Sequence, residues 1–204
     1  MAATNPAAEG RLVLFSKIPR EKDEKINKRT SIPFFLLHLL PLLAIFTGVT
    51  AKAIVLGVVL FWVRMFCITA GYHRYFAHKS YKLNRFWQFV IAFGGTTAAQ
   101  KGPLWWASHH RHHHRHADDE HDVHSPRRHG LLWAHAVWFL SRSNFATRDE
   151  LIGDFARYPE LRFLDRFDLV APLALAAGLY GLGTWLESAF PGLGTNGLQL
   201  LVWG

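Results

Sequence analysis

Trp105–His129, WWASHHRHHHRHADDEHDVHSPRRH, holds nine of the chain's thirteen histidines, all between His109 and His129. Twelve of the thirteen lie between His73 and His135. That density points to a metal. A lone imidazole on an apolar face is a hydrogen-bonded core residue by default, but neutral imidazole is also the commonest protein metal ligand. On a helical wheel of about 100° per residue with His110 as origin, His113 falls at about −60° and His114 at about +40°, forming one face. His109, His112 and His116 fall roughly 200° to 260° round, on the opposite face. Periodicity offers two ligand faces and does not choose between them.

Upstream, Tyr72-His73-Arg74-Tyr75-Phe76-Ala77-His78 carries two more histidines. Five residues apart, they stand about 140° round an α-helix, so both can ligate only if they face different ions or the helix breaks between them. Phe86–Ala99, FWQFVIAFGGTTAA, is short for a membrane span and interrupted by Gly94-Gly95. It reads as a buried or interfacial helix that delivers the histidine helix. Further upstream are two longer apolar stretches, Ile32–Val49 and Ala53–Gly71. Each is long enough to cross a bilayer. Pro41 is expected to kink the first, where His38 reads as a packing or hydrogen-bonding residue. Arg64 interrupts the second and reads as a side chain snorkelling to the interface.

Downstream, LLWAHAVWFL and a charged segment lead to a third apolar stretch, Asp168–Phe190, and Leu198–Gly204 looks like the start of a fourth span. Residues 72–167 contain fourteen Lys or Arg, and none follows Arg166. By the positive-inside rule the N-terminal arm and the histidine region share the cytoplasmic side, and the loop at Pro191–Gly197 faces out. Residues 1–31 carry seven Lys or Arg against four Asp or Glu, and no apolar core with a cleavage site precedes them. They read as a solvated arm rather than a signal peptide.

The fold expected is therefore all-α: a polytopic, multi-pass integral membrane protein with about three full transmembrane helices, the start of a fourth, and a cytoplasmic His-rich helical cap. Its regions are a cytoplasmic N-terminal arm (1–31), a transmembrane helix pair (32–71), a cytoplasmic histidine region with an interfacial helix (72–167), and a third transmembrane helix, outer loop and fourth-span start (168–204). Half the residues are hydrophobic and 19% are charged, strongly segregated along the chain. The net charge of +8 is not accompanied by any nucleic-acid-binding motif, and nucleic acid is excluded as a partner. One cysteine, Cys67, allows no internal disulfide. No nucleophile elbow supports a hydrolytic triad. Histidines at the inner ends of membrane helices would hold metal just outside the bilayer, where the substrate at hand is a lipid. Imidazole suits iron, zinc, copper or nickel, and there are more rings than one zinc site needs.

His73 and His78 make an HxxxxH box and His110-Arg111-His112-His113-His114 an HRxHH box, preceded by Gln100-Lys101-Gly102-Pro103 and Trp105-Trp106-Ala107. With the two preceding spans and the later HSPRRHG and HAVWFL segments, the chain beyond residue 30 resembles the membrane fatty acid desaturases, the stearoyl-CoA type Δ9 acyl-CoA desaturases in particular. The resemblance implies metal ligation by His73, His78, His110, His113 and His114. It leaves His109, His112 and His116 to the other face, with Asp118, Asp119 and Asp122 available to orient ligand rings or to balance charge. It implies an oxidoreductase with a di-iron centre that uses O2 and two electrons from a cytochrome b5 or ferredoxin-type donor. The product would be a cis double bond in a long-chain acyl-CoA or other acyl lipid. Trp105 and Trp106 would wall the acyl tunnel or anchor at the interface. Arg127, Arg128 and Arg142 would meet CoA phosphates or lipid headgroups. The family carries a third histidine box after a fourth span; the sequence reads as C-terminally truncated before it, with an incomplete metal site. The alternative from another class is a membrane metal transporter or metal-buffering protein with a His-rich cytoplasmic loop. Such loops are flexible and rich in Gly and Ser, whereas these histidines are interleaved with Trp at helical spacing. A hydroxylase or sterol-type di-iron oxidase is the third reading.

Overall fold

A computed structural model describes residues 25–204, so most of the expected N-terminal arm lies outside the described residues. Every regular element among them is helical, and the only extended pairing is an isolated antiparallel bridge between Ile26 and Ser141. Helix α1 (Lys28–Leu39) passes through a 3-10 turn at Leu40–Leu43, where Pro41 sits, into the short α2 (Ala44–Thr47). Helix α3 (Ala51–Phe66) runs on without a break as a π-helix over Cys67–Ala77. Then come α4 (Arg85–Thr96), α5 (Pro103–His116) and the single turn α6 (Pro126–His129). Short π and 3-10 turns lead on to α7 (Asp149–Ala156), α8 (Pro159–Arg166), α9 (Val170–Ala189) and α10 (Gly197–Trp203). Side-chain caps start several of these: Thr50, Asn84, Ser125 and Asn196 accept from the N–H groups of Ala53, Trp87, Arg128 and Gln199.

Contacts fix two ends of the molecule. At one, Lys52 Nζ donates to Leu193 O at 2.5 Å, Gln199 Nε2 to Thr47 O at 3.3 Å and Trp203 Nε1 to Gly48 O at 3.2 Å. The turn between α2 and α3 therefore meets the turn between α9 and α10. At the other end, Asn27 N donates to Leu140 O at 2.9 Å, which ties the start of α1 to the histidine-bearing half. Helices α1, α3 and α9 thus run between these ends, and α10 begins the return.

Burial differs between the two ends. The core of Tyr72, Phe76, Leu104, Ala107, Ile152, Leu161 and Leu164 lies where α4, α5, α7 and α8 pack on the π-helical end of the long helix. Along α3, by contrast, Val55, Phe61, Trp62 and Phe66 are exposed. Apolar side chains displayed over that length have no reason to face water. The continuous helix Ala51–Ala77, 27 residues long and containing an 18-residue stretch with a mean hydropathy of 2.2, is long and apolar enough to cross a membrane by itself. It extends beyond the Ala53–Gly71 span expected from sequence. Helices α8 and α9 pass the same test only as a pair bent by 78°, and Ser31–Thr47 is apolar but shorter. His38 bonds the Phe34 carbonyl at 2.7 Å and packs on its ring, as a packing residue should. Arg64 turns back to the Leu60 carbonyl at 3.2 Å.

Gly102 lets α5 start where it does: a Cβ there would run into the backbone and carboxylate of Asp165. That part-buried carboxylate takes over the capping role, accepting from Trp105 N at 2.7 Å and from Thr147 Oγ1 at 2.5 Å. Gly102→Ala is expected to cost about 1–3 kcal/mol, as overpacking does, and to lower the thermal unfolding midpoint by several degrees. An unchanged midpoint would mean that α5 can start elsewhere.

Candidate metal centre

His73 and His78 meet because the end of the long helix is not α-helical. His78 N donates to His73 O at 3.0 Å, an i→i+5 bond, and the π register sets residues five apart one above the other. Their ring centroids lie 4.5 Å apart. The break in α-helical geometry that this spacing required is a change of register, not an interruption of the helix.

Helix α5 brings the second pair. His110 and His114, one α-turn apart, have Nε2 atoms 3.0 Å from each other, and His78 Nε2 is 3.2 Å from His110 Nε2. His73 completes the group, its ring 4.7 Å from that of His110. One donor nitrogen from each of the four lies within 4.8 Å of every other. Two nitrogens bound to one ion at about 2.1 Å, at angles between a right angle and the tetrahedral value, stand about 3.0–3.4 Å apart. The 3.0 and 3.2 Å separations fit that figure, so the donor set suits a divalent transition metal. Burial and the neighbouring imidazoles push His110 down to about 3, and His78 is also held below the ordinary range. Both are thereby kept in the neutral, lone-pair-bearing form. Trp106 stacks on His110 at 4.9 Å and 22° and stands 6.3 Å from His73.

The wheel grouped His113 with His110 and His114, but the structure separates it. Its Nδ1 turns to the buried Asp122 carboxylate, 3.1 Å from each oxygen, and its ring lies 4.3 Å from His124. His113, Asp122 and His124 form a second cluster with donor atoms within 4.8 Å of one another. Hydrogen-bond donors around Asp122 outweigh its burial and hold its carboxyl down to about 2. The opposite face brings no three donor atoms together among the described residues. His109 is buried against Trp105 and Trp138 with Nε2 on the Ala146 carbonyl, while His116 pairs with Asp119 at 2.9 Å. His112 packs on His116. Trp105 is itself a core residue, stacked on Trp138 and donating from Nε1 to Asn144 O at 2.8 Å. Arg127 is exposed beside Asp118, Arg128 is half-buried, and Arg142 is exposed in its 3-10 turn.

One residue was in plain sight within the HRxHH box and carries the architecture. Arg111 donates to the carbonyls of Phe76, Ala77 and Leu151 and grips Asp154 with both terminal nitrogens, at 3.0 and 3.1 Å. The end of the π-helix, α5 and α7 are clamped together at the point where His78 and His110 must meet. Lys79 adds a 2.6 Å pair to the same carboxylate.

The buried His109 and the partly buried His110 and His112 predict how the metal-free protein responds to acid. Burial lowers His109 and His112 to about 4 and His110 to about 3, against about 6.5 in an unfolded chain. Below that value the unfolded state takes up protons that the folded state refuses, so this stability is full above about pH 6.5 and is lost as pH falls toward 4. The thermal midpoint of metal-free protein should drop steadily through that window; a midpoint flat down to pH 5 would contradict the burial of these rings.

Among the described residues these features define an all-helical architecture with one clear membrane-length helix and a four-imidazole site at the histidine-bearing end of it. The fatty acid desaturase family model matches residues 33–204. The chain belongs to that family. It is 33% identical over 172 residues to the chloroplastic palmitoyl-monogalactosyldiacylglycerol delta-7 desaturase of Arabidopsis thaliana, covering 82% of this chain and 42% of that one. It is 30% identical over 164 residues to the sn-1 stearoyl-lipid 9-desaturase of Anabaena variabilis, covering 79% and 60%. To the acyl-CoA 5-desaturase AL21 of Anemone leveillei it is 33% identical over 172 residues, covering 82% and 49%. The chain spans about half the length of the curated relatives it matches.

Proposed function

We propose that the chain forms the membrane-embedded, metal-binding part of an oxidoreductase that introduces a cis double bond into a long-chain acyl group, using O2 and a di-iron centre. The observation that carries this reading is the convergence of His73, His78, His110 and His114 from two separate segments. These four would hold one ion, and His113, directed elsewhere by Asp122, would serve the other. When bound, the iron pair supplies the oxidising power to remove hydrogen from an unactivated methylene, which no side-chain acid or base can do.

The protein's own residues bind and position. Arg111 holds the two ligand segments in register, and Trp106, against His110 and His73, would wall the end of the acyl channel. Trp105 supports it from the core. Arg127, Arg128 and Arg142 would meet the anionic group of the acyl carrier. The relatives' names include lipid-linked as well as CoA-linked acyl substrates. Two of these three are lipid-linked, which favours a glycerolipid over the acyl-CoA expected from the stearoyl-CoA type. The electron donor would be of cytochrome b5 or ferredoxin type. In a bilayer the long helix Ala51–Ala77, α1–α2 and α9 would be the three spans, with α10 beginning a fourth. The fourteen Lys and Arg of residues 72–167 support a cytoplasmic side for the histidine end.

Membranes containing the protein, supplied with O2, a reduced donor and an isotopically labelled saturated acyl-lipid or acyl-CoA, should yield labelled cis-monoene, read by mass spectrometry. The carrier that is converted identifies the substrate class. Metal uptake into sealed vesicles without any lipid product would instead establish the transporter reading.

A further inference from the structure

We propose that Asp122 is a positioning residue that fixes the hydrogen on Nδ1 of both His113 and His124, leaving Nε2 as the only nitrogen of His113 free to meet a metal ion. The inference rests on the di-iron reading for what His113 does, but the geometry stands by itself. Asp122 is fully buried in the loop that follows α5. His113 Nδ1 lies 3.1 Å from each of its oxygens and His124 Nδ1 lies 2.9 Å from Oδ1. A carboxylate only accepts, so each ring nitrogen facing it carries the hydrogen, and a neutral imidazole then keeps its lone pair on Nε2.

The loop is built to hold that carboxylate still. Asp118 N donates to Asp122 Oδ2 at 2.9 Å and His124 N to Oδ1 at 3.2 Å. Ser125 Oγ donates to Asp118 Oδ1 at 2.6 Å, Trp133 Nε1 donates to Val123 O at 2.9 Å, and His129 Nε2 lies 3.0 Å from Asp122 O. His124 packs against the Trp138 ring, centroids 4.8 Å apart. The other use of the same three residues would be an ion held between them by the two Nδ1 atoms and a carboxylate oxygen. Each Asp122 oxygen already takes a backbone N–H and an imidazole, so such an ion would have to displace ring hydrogens that the loop is arranged to receive. One carboxylate thus sets the tautomer of two imidazoles, one from the HRxHH box and one from neither box.

The test reads tautomers directly. Metal-free protein labelled with 15N-histidine in detergent micelles should show the Nδ1–H tautomer for His113 and His124 in long-range 1H–15N spectra at neutral pH. Asp122→Asn replaces one acceptor with an NH2 donor, so at least one of the two rings should move its hydrogen to Nε2. His124→Gln leaves Asp122 wholly to His113, which should stay Nδ1–H; this variant keeps the proposal testable if Asp122→Asn does not fold. On zinc titration His113 should retain the Nδ1 hydrogen. An Nε2–H tautomer for His113 in the wild type, tautomers unmoved by Asp122→Asn, or zinc displacing the hydrogens from both Nδ1 atoms would each overturn the proposal. Because the tautomers are read without iron or substrate, a protein that fails the desaturation assay can still pass this test.

Discussion

His110→Ala should abolish acyl desaturation and lower metal affinity by about 100-fold or more. The ring is the hub of the tetrad: its Nε2 is the atom that both His78 and His114 approach, and His73 packs beside it. A four-ligand transition-metal site is worth about 10–16 kcal/mol, so removing one of four comparable ligands forfeits on the order of 3 kcal/mol, which is about 100-fold in affinity. Metal content after dialysis against a weak chelator reads the effect without an activity assay. His116→Ala provides the comparison. Its ring is on the far side of the same helix, paired with Asp119, and its loss should leave the metal bound. Equal metal retention in both variants would mean that the tetrad does not ligate.

Arg111→Met is expected to cost about 2–3 kcal/mol of stability and most of the metal affinity, although Arg111 need not touch the ion. Methionine keeps much of the stem volume but strands the carbonyls of Phe76, Ala77 and Leu151 and half the partners of Asp154. Breaking a fully buried ion pair costs about 3–5 kcal/mol. The lower figure is expected here because Asp154 is 31% exposed and keeps Lys79. The loss matters to the site because the clamp joins the segment ending in His78 to the helix carrying His110. Arg111→Lys restores the charge but not the fork, and should recover stability only in part. A thermal midpoint and metal content both equal to wild type would show that the packed core alone aligns the two segments.

Much of this site could be read from spacing, and the misreadings have definite causes. The i,i+4 pair of His110 and His114 follows from α-helical geometry and is found. His113 stands about 100° from His114 on the wheel, and that angle is wide enough for it to be drawn off by an acid in the following loop. Which loop residue would draw it off cannot be read from the wheel, because the loop's path is set by tertiary bonds such as Trp133 to Val123. The His73–His78 pair fails on an α-helical wheel because that wheel assumes the wrong register, and Cys67–Ala77 carries no residue that announces a π-helix. Arg111 sits in the motif as its only non-histidine named position, yet its partners come from segments up to 43 residues away. The apolar stretches were legible in kind more than in extent: the long helix continues past Gly71 to Ala77 because the tightly packed head shields its last turns.

The uninterrupted helix from Ala51 to Ala77 also acts as a gauge for the chemistry. Half the donors of the tetrad are mounted at the tip of this rod, so the height of the centre above the lipid is set by the rod's length as much as by the ligands themselves. Adding one residue anywhere along it would lift the tip by about 1.5 Å and swing it by about 100°, carrying His73 and His78 away from a helix α5 that is anchored separately. Alterations to lipid-facing composition are therefore tolerable in a way that alterations to residue number are not.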